Sequence, residues 1–286
     1  MRDTLHLESP AKINLRLEIL KKRENGYHEL RTILQKISLY DHLQFSLQKG
    51  RGISIKTDHP DFPSGKRNLV YQAVQSMLKR TEHKGGVLVE IEKRIPLGAG
   101  LGGGSSNAAT ALKAMNQLLE ANLTRRELMA IGREIGADVP FFIFEGAAIA
   151  SGIGERLRRI ELPRLWYVLI YPNFEVSTRW AYQNFVLTRR HFRFSLHKLI
   201  KVQNDIFPLL RNDLEEVVSK EYPEINVMEK MLCSAGASGT LMTGSGPTVF
   251  GLFSEEGGAS EAYEKVKRMV RRKGWVVLRA ESLANG

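Results

Sequence analysis

Five glycines stand within seven positions of this chain, and two serines follow them directly: Gly98, Gly100, Gly102, Gly103, Gly104, Ser105 and Ser106. Glycine has no Cβ, so several backbone N–H groups in such a run can face one bound anion at close range. Apolar residues at helical spacing follow from Ala108 to Leu119, and we expect Ser105 or Ser106 to cap this helix. The glycines and the helix N-terminus together predict a phosphate-binding loop.

Other glycine-rich loops fit this segment less well. A Walker A loop needs a lysine directly after the glycines, and the next lysine here is Lys113. Residues 98–103 satisfy the dinucleotide-binding pattern literally, but no strand leads straight into Gly98 and no acidic residue ends a second strand about 20 residues on. A protein-kinase loop would carry valine at the position of Ser105. A flexible linker would not open onto an apolar helix.

If the bound phosphate is to be transferred, the protein also needs groups that stabilise charge and accept a proton. Asp138 lies between a helix stop at Gly136 and a proline, Pro140, where a turn could aim its carboxylate into a cleft. The alternative is that Asp138 only caps the turn. Lys12 is the second candidate, because a cation on a rigid strand can keep a carboxylate ionised and stabilise the transferred phosphoryl group. The alternative for Lys12 is a solvated surface side chain, and the residues alone leave both alternatives open.

Alternating apolar and polar residues over 11–19 predict a half-buried strand with Lys12 and Asn14 on one face. A capping box, Thr124 with Glu127, predicts a helix over 125–135 that stops at Gly136. Further patterns predict helices over 68–78, 106–120, 213–220, 226–235 and 260–272, and strands over 43–47, 53–55, 87–91, 141–149, 167–171, 239–242, 248–253 and 275–279. Strands and helices in separate runs predict an α+β protein with two domains, 1–160 and 161–286.

Composition narrows the possible classes of protein. The chain has 286 residues with 43% apolar content, which is enough for a substantial core. Its net charge of +11 suits an anionic small substrate or non-specific nucleic-acid binding, and charge alone does not separate the two. We expect a cytoplasmic protein, because no membrane span or signal-peptide pattern is found. The single cysteine excludes an internal disulfide and a cysteine-cluster metal site.

The loop has the form Pro-x-Gly-x-Gly-Leu-Gly-Gly-Gly-Ser-Ser-x-Ala, which resembles the ATP loop of the GHMP kinases, small-molecule kinases named for galactose, homoserine, mevalonate and phosphomevalonate. Other segments that resemble this family extend over nearly the whole chain: 9–15, 26–30, 136–142, 152–155, 212–215 and 243–247. The resemblance implies a two-domain α+β architecture. Its N-terminal domain would be of the ribosomal protein S5 domain 2 type, and its C-terminal domain a ferredoxin-like α/β plait.

The resemblance also implies roles for particular residues. Lys12 and Asp138 match the catalytic pair of the family, with Asp138 taking the proton of a substrate 2-hydroxyl and Lys12 keeping Asp138 charged. The segments 9–15 and 26–30 resemble those of members that act on a cytidine-diphosphate-linked methylerythritol, which would place Tyr27 and His28 at the cytidine and Asn14 in the same site. ATP would be bound by the residues Pro96, Leu97, Gly98, Ala99, Gly100, Leu101, Gly102, Gly103, Gly104, Ser105 and Ser106. Asn68 would lie beside the adenine, which is compatible with its role as N-cap of the helix that begins at Leu69. Mg²⁺ would bridge the phosphates, with Ser106 as a candidate ligand.

The expected partner is therefore the small-molecule substrate, with no nucleic acid and no membrane, and the protein would be a monomer or a homodimer. Two alternatives remain at this stage. The first is another GHMP kinase, of the mevalonate or homoserine type. The second is a non-enzymatic basic protein that binds nucleic acid. The basic segment 188–194 matches no motif, and we assign it no role.

Overall fold

The computed structural model describes residues 3–24, 26–63, 65–187 and 206–284, so the basic segment 188–194 lies outside the described residues. The chain divides into two compact units. Unit 1 comprises Met1–Ala11, Leu39–Leu97 and Gly102–Glu145, and unit 2 comprises Lys12–Ser38, Gly98–Leu101 and Gly146–Gly286. Two long strands, β1 (Thr4–Lys22) and β2 (His28–Gln48), each contribute residues to both units. The domain boundary at residue 160 stays a prediction.

Unit 1 combines a small sheet with four helices. Its elements, besides the ends of β1 and β2, are β3 (Ile53–Thr57), α1 (Leu69–Arg80), β4 (Gly86–Glu92), α2 (Gly103–Leu118), α3 (Arg125–Ile135) and α4 (Val139–Ile143). Strand β4 pairs with β3 in parallel and with the C-terminal part of β2 in antiparallel register. Helix α1 packs against α2, which is buried along most of its length.

Local signals account for two of these helices. The Oδ1 atom of Asn68 accepts a hydrogen bond of 2.7 Å from the N–H of Val70, which caps α1. Helix α3 begins with the predicted capping box, in which Thr124 and Glu127 bond each other's backbone N–H groups. It ends at Gly136, as predicted. These boundaries were predictable because each depends on residues only a few positions apart.

Unit 2 holds a four-stranded antiparallel sheet in the order β11 (Val276–Glu281), β7 (Trp166–Tyr171), β10 (Val249–Phe253) and β9 (Gly239–Met242). The helices and strands among the described residues of this unit are β5 (Ala147–Gly152), β6 (Arg156–Ile160), β7 (Trp166–Tyr171), α5 (Thr178–Asn184), β8 (Arg211–Asn212), α6 (Glu215–Glu221), α7 (Glu224–Ser234), β9 (Gly239–Met242), β10 (Val249–Phe253), α8 (Glu256–Val270) and β11 (Val276–Glu281). Helices α7 and α8 pack on the sheet and share its buried apolar core. The N-terminal part of β2 pairs with β5, and β1 pairs in parallel with β8.

The predicted strand over 11–19 is confirmed as part of β1, but the prediction that it is half-buried is wrong. Its odd positions are buried as expected, but the polar side chains at the even positions are also buried: Lys12, Asn14, Arg16 and Glu18 are each no more than 5% exposed. They are tolerated because they bond one another and distant backbone groups. Arg16, for example, bonds Glu18 at 2.6 Å and the carbonyl of Leu209 at 3.0 Å.

The prediction of one strand over 141–149 is also wrong. Residues Val139–Ile143 form the short helix α4 with Pro140 in its first turn, and strand β5 begins only at Ala147. Every residue of α4 is buried, and a short, fully apolar run has no periodicity that separates helix from strand. Among the described residues, no helix is both long enough and apolar enough to cross a membrane.

Candidate functional site

The glycine loop has the backbone conformation that its composition suggests. Gly98, Gly100 and Gly102 all have positive φ angles, of 60°, 76° and 72°. A Cβ on Gly100 would lie 2.5 Å from the carbonyl oxygen of Thr243, and one on Gly98 would overlap the side chain of Glu175. The loop therefore needs glycine at these positions for two reasons. The backbone dihedral angles are left-handed, and a Cβ would collide with Glu175 or Thr243.

Helix α2 starts earlier than predicted. Its N-cap is Gly102 in the left-handed region, with no side-chain cap, so the expectation that Ser105 or Ser106 caps the helix is wrong. Both serines lie in the first turns, where the N–H of Ser106 already donates to the carbonyl of Gly102 at 2.9 Å. The preceding N–H groups have no acceptor within the helix, and Gly104 is exposed. This helix N-terminus can therefore accept an anion.

The Ser106 hydroxyl has a structural partner. It is fully buried and accepts a hydrogen bond of 2.8 Å from the hydroxyl of Ser9. The described residues contain no group of three or more His, Cys, Asp or Glu side chains that could hold a metal ion. A buried hydroxyl that already bonds another side chain does not fit the role of a metal ligand without local rearrangement.

Lys12 is buried rather than solvated. Its side chain is held at the glycine loop, where Nζ donates to Asn14 Oδ1 at 2.6 Å and to the carbonyl of Gly100 at 2.7 Å. The backbone N–H of Lys12 also donates to the carbonyl of Leu101 at 2.9 Å. Strand β1 and the loop residues Gly98–Leu101 are thus joined through both the main chain and the side chain of Lys12.

A second glycine turn packs on the same lysine. The N–H of Gly246 bonds the carbonyl of Thr243 at 3.0 Å, and Gly244 has a φ of 61°. A Cβ on Gly244 would lie 3.3 Å from Lys12 Nζ. Asn212 holds this turn, because its Nδ2 donates to the carbonyls of Met242 and Gly244 at 2.7 and 2.8 Å. Sequence reasoning gave no role to Asn212 or Thr243, whose contacts are with residues far away in the chain.

Asp138 occupies the N-cap position of α4 and is partly exposed. Its side chain makes no capping hydrogen bond, so the alternative role as a turn cap gains no support. Within unit 1, its carboxylate accepts no hydrogen bond from another described residue. The carboxylate of Asp138 is therefore an acceptor that forms no structural hydrogen bond within its own unit. Lys12 and Asp138 belong to different units, and their partnership stays a prediction.

Asn68 has the capping role that the sequence allowed for. Besides capping α1 through Oδ1, its Nδ2 donates to the carbonyl of Pro63, and the residue is 4% exposed. Both ends of the amide are used within the protein. A contact between Asn68 and an adenine stays a prediction.

Tyr27 lies in the turn that precedes β2, and His28 is the first residue of β2. Tyr27 is 60% exposed, and its carbonyl closes the turn by accepting from the N–H of Arg23 at 2.7 Å. The ring of His28 lies 5.3 Å from that of Tyr182. Burial lowers the pKa of His28, and the positive charge of Lys22 lowers it further, so the imidazole is neutral around pH 7. A neutral imidazole can both donate and accept hydrogen bonds, and an exposed phenol ring can stack on a base.

Both halves of one family are found in this chain. The family described as GHMP kinases N terminal domain matches residues 68–146, and the one described as GHMP kinases C terminal matches residues 195–272. The fold of the homoserine kinase from Cytophaga hutchinsonii is similar, with a TM-score of 0.74 over 100% of this chain and 96% of that one, at 22% identity. The chain belongs to the GHMP kinases, a family of two-domain α+β small-molecule kinases.

Two relatives more than 40% identical to this chain are named as the same kind of kinase. The protein named 4-diphosphocytidyl-2-C-methyl-D-erythritol kinase from Geotalea daltonii is 42% identical over 280 residues, covering 98% of this chain and 99% of the relative. The one from Syntrophus aciditrophicus is 47% identical over 261 residues, covering 90% and 93%. A crystal structure of 4-(cytidine 5'-diphospho)-2C-methyl-D-erythritol kinase matches with a TM-score of 0.83 at 33% identity, covering 98% of this chain and 100% of that one.

Proposed function

We propose that this chain transfers the γ-phosphoryl group of ATP to the 2-hydroxyl of 4-diphosphocytidyl-2-C-methyl-D-erythritol, giving the 2-phosphate and ADP. The reaction belongs to the methylerythritol phosphate route to isopentenyl diphosphate and isoprenoids. The nearly full-length similarity to kinases of that name supports this substrate. The structural observation that carries the chemistry is the buried Lys12 Nζ, bonded to the carbonyl of Gly100 inside the glycine loop.

We assign the ATP phosphates to the loop Pro96–Ser106. Two features support this assignment. The first N–H groups of α2 lack acceptors within the helix, and left-handed glycines precede this helix. Asn68 is the candidate beside the adenine. The amide of Asn68 already bonds Val70 and Pro63. The adenine would therefore contact the flat face of this amide, or the neighbouring backbone that Asn68 holds in place.

In this proposal Asp138 accepts the proton of the 2-hydroxyl as the oxygen attacks the γ-phosphorus. The lack of a capping bond to its carboxylate supports the role, since a general base needs an acceptor that is not already in use. Lys12 keeps that carboxylate ionised and stabilises the charge on the transferred group. The hydrogen bond from Lys12 Nζ to the carbonyl of Gly100 in the glycine loop supports the role of Lys12. The pairing of Lys12 with Asp138 comes from the resemblance of both segments to the family.

The cytidine end of the substrate is assigned to Tyr27 and His28, and Asn14 lines the same site. The exposed phenol ring of Tyr27 can stack on the base, and the neutral imidazole of His28 can bond its edge. Asn14 is buried and bonded to Lys12, so it would contribute mainly by holding the lysine.

We propose that Mg²⁺ accompanies ATP and is held chiefly by the phosphates, as this ion commonly is. The absence of a ligand cluster among the described residues and the buried state of Ser106 are consistent with that arrangement. Bound there, the ion would neutralise phosphate charge. The cytoplasmic location, the monomeric or dimeric state and the lack of a nucleic-acid partner stay predictions from the sequence.

A panel of acceptor alcohols tests the function. Purified protein with ATP and Mg²⁺ is given 4-diphosphocytidyl-2-C-methyl-D-erythritol, mevalonate or homoserine, and ADP release is measured. We expect rapid release only with the first compound. The compound lacking the cytidine diphosphate, 2-C-methyl-D-erythritol, is the matched control and should be a poor substrate. Comparable rates with mevalonate or homoserine would contradict the proposal.

A further inference from the structure

A series of buried hydrogen bonds begins at Lys12 and lies within unit 2. Lys12 Nζ donates to Asn14 Oδ1 at 2.6 Å, and Asn14 Nδ2 donates to Thr32 Oγ1 at 2.8 Å. The Thr32 hydroxyl then donates to the carbonyl of Arg16 at 2.5 Å. Lys12, Asn14 and Thr32 are each no more than 4% exposed, so water does not compete for these bonds.

The direction of every hydrogen bond in this series is fixed at both ends, by Lys12 Nζ and by the Thr32 hydroxyl. A threonine hydroxyl has one proton, and Thr32 gives it to the carbonyl of Arg16, so Thr32 can only accept from Asn14. The amide of Asn14 must therefore turn Nδ2 to Thr32 and Oδ1 to Lys12. The reverse orientation would set amide protons against Nζ, which only donates, and would leave two oxygens facing each other at Thr32.

We propose that Thr32 is a positioning residue for the phosphoryl transfer: through Asn14 it presents an acceptor to Lys12 Nζ and so holds the lysine at the glycine loop. Thr32 acts through these two side chains and is not assigned to the substrate or to ATP. This inference rests on the proposed function, in which Lys12 serves the transfer. It adds a residue that no sequence motif singled out.

Unit 2 offers a matched control. Thr248 is also a fully buried threonine, but among the described residues its hydroxyl has no hydrogen-bond partner. Replacing either threonine by valine keeps the shape and removes the hydroxyl. Only Thr32→Val leaves the Asn14 amide N–H without its acceptor, so this end of the Asn14 side chain is no longer held in place. The two substitutions thus separate the loss of a hydroxyl from the loss of this series of hydrogen bonds.

The test compares Thr32→Val, Thr32→Ser and Thr248→Val in the full chain, with urea denaturation confirming that each is folded. We expect Thr32→Val to lower kcat about tenfold or more while KM for ATP changes less than about twofold. Thr32→Ser keeps the hydroxyl and should stay within about threefold of the wild type. Thr248→Val should match the wild type. A kcat for Thr32→Val within twofold of Thr248→Val, or an equal loss in Thr32→Ser, would overturn the proposal.

A double-mutant cycle tests whether Thr32 acts through the lysine. In a Lys12→Met background, the proposal predicts that Thr32→Val lowers the residual kcat by less than about twofold. The same tenfold loss in that background would overturn it. If Thr32→Val does not fold, Thr32→Cys takes its place under the same criteria. A wild-type protein that fails to phosphorylate the substrate refutes the proposed function, whereas an active wild type with an unaffected Thr32→Val refutes this inference alone.

Discussion

Gly244→Ala should slow phosphoryl transfer while leaving the protein folded. Gly244 lies in the turn that packs on Lys12, and its φ is 61°. A Cβ at this position would lie 3.2 Å from the carbonyl oxygen of Gly100, 3.3 Å from Lys12 Nζ and 3.4 Å from Asn14 Oδ1. Such contacts are tighter than a methyl group normally makes with its neighbours, so the polar atoms must move apart by a few tenths of an ångström.

Two costs follow, and they appear in different measurements. The left-handed backbone costs an alanine about 1–2 kcal/mol of stability relative to glycine. A displacement of about 1 Å at a reacting group can cost about 100-fold in rate, so a shift of a quarter to a half of that distance costs about 3- to 10-fold in kcat. The backbone cost lowers the free energy of unfolding, whereas the displacement of Nζ lowers kcat.

Gly274→Ala separates these costs. Gly274 has a φ of 67°, but a Cβ there would meet nothing within 4 Å. Both variants should lose similar stability in urea denaturation, and only Gly244→Ala should lose kcat in an ADP-release assay at saturating ATP. Equal kcat values for the two variants would refute the claim that the turn at Gly244 sets the position of Lys12.

Three further outcomes are expected. Asp138→Asn should lower kcat by about 100-fold or more with KM for ATP unchanged, because it removes the proposed general base. The control is Asp61→Asn, which changes an exposed carboxylate of the same unit and should leave kcat unchanged. Asp41→Asn should cost about 3–5 kcal/mol in urea denaturation, because it leaves a buried lysine without its partner, whereas Glu92→Gln in an exposed ion pair should cost less than about 1 kcal/mol. Burial, aided by a neighbouring carboxylate, raises the pKa of Glu215 to about 8. The folded state therefore binds a proton that the unfolded state releases near its ordinary pKa of 4.5, and stability should fall as pH rises from about 5 to 8. Glu215→Gln should flatten this pH dependence, and an unchanged slope would contradict the assignment.

The parts of the fold that depend on neighbouring residues were predictable from the sequence. The cap at Asn68 and the capping box at Thr124 need only residues two or three positions away, and both form as expected. The conformation of the loop over residues 98–104 was also predictable, because glycine readily adopts the positive φ angles that this loop has.

The remaining features depend on contacts that are distant in sequence. The buried state of Lys12 follows from bonds to Asn14 and to the carbonyl of Gly100, 88 positions away, and a strand pattern alone predicts a solvated side chain. The start of α2 at Gly103 was missed because serine is a common cap, whereas here a left-handed glycine takes that position. The buried helix α4 has no polar face, so its period could not be read.

The position of the new phosphate tests the central claim most directly. The product formed from ATP and 4-diphosphocytidyl-2-C-methyl-D-erythritol is examined by carbon and phosphorus NMR. The proposed function predicts a new phosphomonoester whose phosphorus couples to C2 and to the methyl carbon attached to it, because the phosphate is on the tertiary 2-hydroxyl. A phosphate on the 1- or 3-hydroxyl, or ADP release without a phosphorylated product, would contradict the account.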